Sequence, residues 1–321
     1  MIDVEVTTQR EPQKKDLKFL WLEITNQCNE QCAHCYNKSS PYGTHGKMQT
    51  QDWKNVLSGA KAFGTQEVQF IGGEPTTHPA LNHLVRFAHE DGLNIEVFTN
   101  LVKLTDETLQ TFQDCNVSVA TSFYSPNPHV HTRITNNKNA HGSIVKNIKR
   151  VVDAGLLLRV GLIEFPPDEY PNQDIEGAMA LLTGLGVHEE NIGFDHVRGI
   201  GRGTAIDTQR ANSVDALCGA CADGKAVGNA KGDVSLCVFT LGIPSMVVGN
   251  VKEQSLEAIV ADQTMMNMRN DLQMSFSRRG IQTPTDDCYS NTCPPKTPCS
   301  PHASPCPIHP NCGPLCFPTR R

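Results

Sequence analysis

Six apolar runs of strand length recur over the first two hundred residues of this chain, separated by loops and by segments of helical period. They are residues 17–24 (LKFLWLEI), 67–71 (EVQFI), 94–99 (NIEVFT), 116–123 (NVSVATSF), 156–165 (LLLRVGLIEF) and 191–197 (NIGFDHV). Segments 50–63, 79–91, 106–112, 141–154 and 174–185 place apolar residues three and four apart, as Trp53, Val56, Leu57 and Ala60 do, which predicts amphipathic helices. Gly92, Gly155 and Gly186 stand where helix C-termini need a left-handed residue. Strand–helix alternation of this kind demands parallel strands joined by right-handed crossovers. Six units fall short of a closed eight-stranded barrel, so the expected fold class is α/β, a partial TIM-like (βα)6 barrel over residues 17–204. Its chemistry belongs at the C-terminal ends of the strands.

Cysteine is the compositional anomaly. The 321 residues hold 13 cysteines: Cys28, Cys32 and Cys35 close together, Cys115 alone, and nine from Cys218 to Cys316. Residues 1–16, an N-terminal extension, are polar and lack a signal-peptide core, and no apolar run reaches membrane-spanning length. A cytoplasmic location is therefore expected, where disulfides rarely persist and clustered thiols usually bind metal. Cys115 reads as plain core. The net charge of −6 comes without a basic run, which argues against nucleic acid or an anionic membrane as partner.

The run NQCNEQCAHCY directly follows the first strand and spells Cys-x3-Cys-x2-Cys with Cys28, Cys32 and Cys35. Three thiolates on one loop can wrap a corner of an iron–sulfur cube and leave one iron open to a small chelating molecule. A zinc site would more often show two Cys-x2-Cys pairs and four closed ligands. The second strand runs into IGGEP, residues Gly72, Gly73, Glu74 and Pro75. Together these motifs resemble the radical S-adenosylmethionine (SAM) superfamily. The resemblance implies a [4Fe-4S] cluster on the three cysteines with SAM chelating its open iron. It further implies that Gly72, Gly73, Glu74 and Pro75 receive the SAM amino group, with His34 near the adenine. Asn100, Ser122 and Arg198 become candidate contacts to the ribose or carboxylate.

Beyond residue 205 the composition shifts, which predicts a small Cys-rich C-terminal cluster-binding domain over 205–321. Cys218-x2-Cys221, Gly232 and Cys237 resemble the opening hairpin of a SPASM or twitch extension, with Gly232 at the tip and KGDVSLCVF as a strand carrying Cys237. A zinc ribbon is the alternative for this hairpin. Residues 254–276 read as one helix whose Met265, Met266, Met268 and Met274 fill core gaps rather than line a substrate surface. The tail from 282 is dominated by Pro and Cys and lacks aliphatic residues for a core. Its Cys288, Cys293, Cys299, Cys306, Cys312 and Cys316 match the SPASM spacing only in part, so the resemblance leaves one or two auxiliary [4Fe-4S] clusters open.

The resemblance implies an enzyme that cleaves SAM reductively to a 5′-deoxyadenosyl radical and abstracts hydrogen from a substrate. Modification of a ribosomally made peptide, by crosslinking, epimerisation or oxidation, is the leading expectation. A dehydrogenase or epimerase acting on a sugar, cyclitol or nucleoside precursor is the alternative, and a non-catalytic electron carrier a third. A flavodoxin or ferredoxin would supply electrons. The roughly 17 residues before strand one are too few for a peptide-recognition domain, so a leader would be read by a separate protein or by the barrel. His78, His83, His129, His131, His141 and His302 show no metal-like spacing and are expected to be surface or structural residues.

Overall fold

The computed structural model describes residues 17–217 and 224–278 of the chain. Strands and helices alternate as β1 (Phe19–Glu23), α1 (Thr50–Ala62), β2 (Glu67–Ile71), α2 (Leu81–Glu90), β3 (Asn94–Phe98), α3 (Asp106–Asp114) and β4 (Ser118–Phe123). They continue as α4 (Pro128–Thr135), α5 (Ala140–Asp153), β5 (Leu158–Glu164), α6 (Ile175–Gly184) and β6 (Ile192–His196). Each of these strands pairs in parallel with the next, and β6 forms an edge, so the sheet is an unclosed barrel.

Local chemistry explains the elements. α1 buries Trp53, Val56, Leu57 and Ala60, one stripe of a helix whose start is a capping box between Gln49 and Asp52. Fully burying a side chain such as Leu57 is worth about 1.5–3 kcal/mol. Gly92, Gly155 and Gly186 each adopt positive φ just past a helix, as expected. Cys115 is buried in the main core. The helix α4 was not foreseen; Asn127 caps it, Pro128 opens it, and Asn136 closes it at φ 53°.

Inside the barrel, below its C-terminal end, register aligns Trp21, Gln69 and Glu96 across β1–β3. Arg159 on β5 donates to both oxygens of Glu96, at 2.7 and 2.6 Å, and Gln69 donates a third bond. This buried group stands in for an apolar barrel plug, and Arg159 lies 5.6 Å from the ring centre of Phe98 above it.

The sheet runs on past residue 205. β7 (Lys225–Asn229) pairs in parallel with β1, Phe19 opposite Lys225 and Glu23 opposite Asn229. β8 (Asp233–Ser235) and β9 (Gly249–Asn250) follow antiparallel. Gly232 takes φ 93° in the β7–β8 turn, where Asn229 Oδ1 accepts from the amides of Lys231 and Asp233. Cys237 falls two residues beyond β8 rather than on the strand. The single helix expected over 254–276 is two, α7 (Leu256–Ala261) and α8 (Gln263–Arg278). Asp262 breaks it: its backbone is extended and its carboxylate accepts from the Thr264 amide at 2.7 Å, capping α8. Met265 is buried and Met268 packs on the core, whereas Met266 and Met274 are exposed. Among the described residues no helix is long and apolar enough to cross a membrane. Residues 1–16, Cys218, Cys221, Cys288, Cys293, Cys299, Cys306, Cys312, Cys316 and His302 lie outside the described residues.

Candidate active site

The segment leaving β1 folds over the C-terminal ends of the strands and carries all three N-terminal cysteines. Its shape is fixed by backbone bonds to other elements. Cys28 N donates to Ser40 O at 3.0 Å, and the last carbonyls of α4 accept from Gln31 N (Thr135 O, 3.0 Å) and Ala33 N (Ile134 O, 2.8 Å). The Cys28 sulfur already receives N–H groups, from Glu30 N at 3.4 Å and Asn100 Nδ2 at 3.7 Å. Burial pushes all three thiols above their ordinary range, with Glu74 adding to the effect on Cys28, Glu30 on Cys32, and Arg202 opposing it on Cys35. A thiolate is therefore stable at this loop only with positive charge beside it, which is what bound iron supplies. Among the described residues no three His, Cys, Asp or Glu side chains converge on a single ion's position. A cube differs in giving each thiolate its own iron, so the donor set fits an iron–sulfur cluster.

The turn after β2 presses against this segment. A Cβ on Gly72 would stand 2.4 Å from Thr25 O, and one on Gly73 2.3 Å from Gln27 O, so only glycine fits at either position. Gly73 N and Glu74 N hydrogen-bond Thr25 O and Gln27 O at 2.7 and 2.9 Å. The Glu74 carboxylate is wholly buried and accepts from Thr76 N, Thr76 Oγ1, Thr99 Oγ1 and Asn100 N at 2.7–2.9 Å. Burial raises its pKa and these donors oppose the rise. Glu74 thus ties β2 to β3, and neither it nor Pro75 lines the cavity, whereas Gly72 and Gly73 do.

That cavity is open to solvent and is lined by the cysteine loop. Ile71, Phe98, Ser122, Ile163 and Asp195 reach it from the strands. Asn100 stands just beyond β3, donating to Asn29 Oδ1 at 2.6 Å and Glu30 Oε2 at 3.2 Å. The His34 ring meets Tyr124 and Phe165 edge-on, each at 5.1 Å, and burial, helped by Arg202, lowers its pKa to about 4. His34 is consequently neutral near pH 7. On the far wall Arg198 pairs with Asp195 at 2.9 Å, donates to Ala216 O, and lies 5.1 Å from the Phe239 ring centre.

Cys28, Cys32, Cys35, His34, Gly72, Gly73, Asn100, Ser122 and Arg198 therefore line one cavity, while Cys237 is buried and does not line it. Several lining residues escaped sequence reasoning: Glu30, Tyr36, Tyr124, His131, Asp195, His196 and Arg202. His131, expected to be a surface or structural residue because it has no metal-like spacing, is fully buried and lines the cavity. Arg202 carried a usable signal, since the glycines flanking it in GIGRG mark close backbone approach.

Comparisons with known proteins agree with this geometry. The sequence model of the radical SAM superfamily matches residues 22–182, and that of the SPASM iron-sulfur cluster-binding domain matches 210–294. The PqqA peptide cyclase of Bradyrhizobium diazoefficiens is 33% identical over 145 residues, which are 44% of this chain and 38% of that protein. The antilisterial bacteriocin subtilosin biosynthesis protein AlbA of Bacillus subtilis is 27% identical over 48% of this chain and 34% of its own length. The chain thus spans little more than a third of the curated relatives it matches. In fold, it is similar to Streptococcus suis SuiB bound to S-adenosylmethionine, with TM-score 0.63, 16% identity, and coverage of 85% of this chain and 70% of that one.

Proposed function

The chain belongs to the radical SAM superfamily, and from that premise we propose that it modifies a ribosomally made peptide by hydrogen abstraction. The observation that carries the reading is the convergence of three thiols, Cys28 buried and Cys32 and Cys35 half-buried, with the Gly72–Gly73 turn and Asn100 on one open cavity. Cys28, Cys32 and Cys35 would hold the [4Fe-4S] cluster. With SAM bound, that group would supply the one-electron reductive cleavage that generates the hydrogen-abstracting agent.

The chain's own residues bind, orient and exclude water. The backbone of Gly72 and Gly73 would lie against the SAM amino group, with Glu74 and Pro75 holding the turn in place rather than reaching in. Asn100 and Ser122 offer polar contacts for the carboxylate or ribose. The neutral His34 ring, wedged by Tyr124 and Phe165, presents a flat surface for adenine. Arg198 is already engaged by Asp195, so it would meet a carboxylate as a charge held in place. Ile71, Phe98, Ile163 and Phe239 keep the cavity apolar where a radical must be shielded from water.

The names of relatives support a peptide as substrate: a cyclase of the peptide PqqA, a bacteriocin biosynthesis protein, and SuiB, which is also known bound to the precursor peptide SuiA. Cys218, Cys221, Cys237 and tail cysteines would hold the auxiliary clusters that accept the surplus electron. A flavodoxin or ferredoxin as donor, a leader-binding protein and a cytosolic setting belong to the same reading. The test is anaerobic incubation of reconstituted protein with SAM, reductant and each short peptide that reading frames beside its gene would encode. 5′-Deoxyadenosine, together with a peptide that has lost hydrogens or inverted a centre, is expected, and Cys35→Ala should abolish both. SAM cleavage with every nearby peptide unchanged would favour the small-molecule reading, and no cleavage by iron-replete protein would end the radical one.

A further inference from the structure

Arg202 does not arise from the cysteine segment, yet it holds that segment at three points. Its backbone amide donates to Cys35 O at 2.9 Å, Nε donates to Cys32 O at 2.7 Å, and one terminal nitrogen donates to Ser39 O at 2.8 Å. The partners of its side chain lie 170 and 163 residues away in sequence. The turn that bears it is shaped for this contact. Gly201, at φ 65°, would set a Cβ 2.2 Å from Tyr36 O, and Gly203 would set one 2.1 Å from Arg198 O. No larger residue lets the β6 turn sit so close to the backbone of the cysteine segment.

We propose that Arg202 is a positioning residue for the iron–sulfur cluster. Its guanidinium fork fixes the Cys32–Ser39 stretch, and its charge lines the same cavity as Cys28, Cys32 and Cys35. This rests on the reading that Cys28, Cys32 and Cys35 hold a cluster. Guanidinium suits the task because one rigid plane reaches two carbonyls at once; a lysine ammonium keeps the charge but not the fork. Outer contacts that orient metal ligands typically change metal retention about 10–100-fold when lost. Net charge near a cluster shifts its reduction potential, and a cation favours the more negative reduced form, so its removal drives the potential down.

The two roles separate in two variants, R202M and R202K, each compared with wild type after anaerobic reconstitution. Iron loss to an added chelator is timed. The midpoint potential is read without SAM from the reduced signal that responds when SAM is later added. We expect R202M to lose iron at least several-fold faster and to show a more negative midpoint. R202K should also lose iron faster, while its midpoint stays near wild type. Should R202M fail to fold, R202K alone still tests the fork through its iron loss. Wild-type iron retention in R202K, or in R202M together with an unchanged midpoint, would overturn the proposal. Wild-type protein that takes up no iron would instead count against the cluster reading itself.

Discussion

His131 enters the barrel wall from α4 with no part of it exposed, among Phe123, Tyr124 and His141, whose rings lie 5.3–5.4 Å away. Its imidazole nitrogens close no hydrogen bond of ordinary geometry, although the Ser125 backbone lies nearby. Burial, with His141 beside it, lowers its pKa from 6.5 to about 4. Between those values the unfolded chain takes up a proton that the folded chain refuses. Stability from this residue is therefore full above pH 6.5 and falls as the pH drops toward about 4. At about 1.4 kcal/mol per pH unit, the loss comes to about 3 kcal/mol. Glu23 and Glu30 act the other way. Burial raises both to about 8, so their share is lost as pH rises from 4.5 through about 8. The composite curve hides each contribution, but a difference isolates one. Urea unfolding of metal-free His131→Gln should show a shallower decline from pH 6.5 to 4 than wild type; parallel curves would mean that His131 titrates normally.

At the scale of elements, legibility followed the range of the interaction. The strands and the stripe of α1 were readable because burial there repeats with a period fixed by the local backbone. The cysteine loop and the Gly72–Gly73 turn were readable because they are short local runs whose places after the first and second strands carry the resemblance to the radical SAM superfamily. α4 was not: PHVHTRIT offers few aliphatic residues, and its buried face is completed by His131, which sequence treats as polar. Arg202 and Tyr124 converge with the cysteines from separate segments; the glycines around Arg202 mark a close backbone approach, but no local pattern says to which segment. α4 matters because its last two residues supply the carbonyls that hold Gln31 and Ala33 of the cysteine loop. Asn136 ends the helix in the left-handed region, where a β-branched side chain costs roughly 1–2 kcal/mol. Asn136→Val should lower the melting temperature and also reduce iron per chain after reconstitution, whereas Asn136→Gly should change neither appreciably. Normal iron content in a destabilised Asn136→Val protein would show that the helix end does not position the loop.

For the whole molecule, the decisive feature is that the C-terminal extension shares the barrel's sheet. A boundary near residue 205 looked natural because composition changes there, but composition says nothing about which edge a later strand will join. β7 joins β1 over five residue pairs, against a strand whose Leu20, Trp21 and Leu22 are buried almost completely. Gly46 and the amides of Lys47 and Met48 dock on Ala230 of the following turn, the two amides at 2.7 and 3.1 Å, and Lys252 bridges to Asp52 at 2.7 Å. The loop that leaves β1 with the cysteines is thus braced from behind by the hairpin. A chain ending at residue 217 would leave β1 as a bare, apolar edge strand next to the metal loop, an invitation to pair with other chains. Such a truncation is expected to be aggregated or oligomeric by size exclusion and to hold little iron, even though every N-terminal cysteine remains. A soluble monomer that still binds one cluster would mean the barrel folds unaided and the hairpin serves only the sites beyond it.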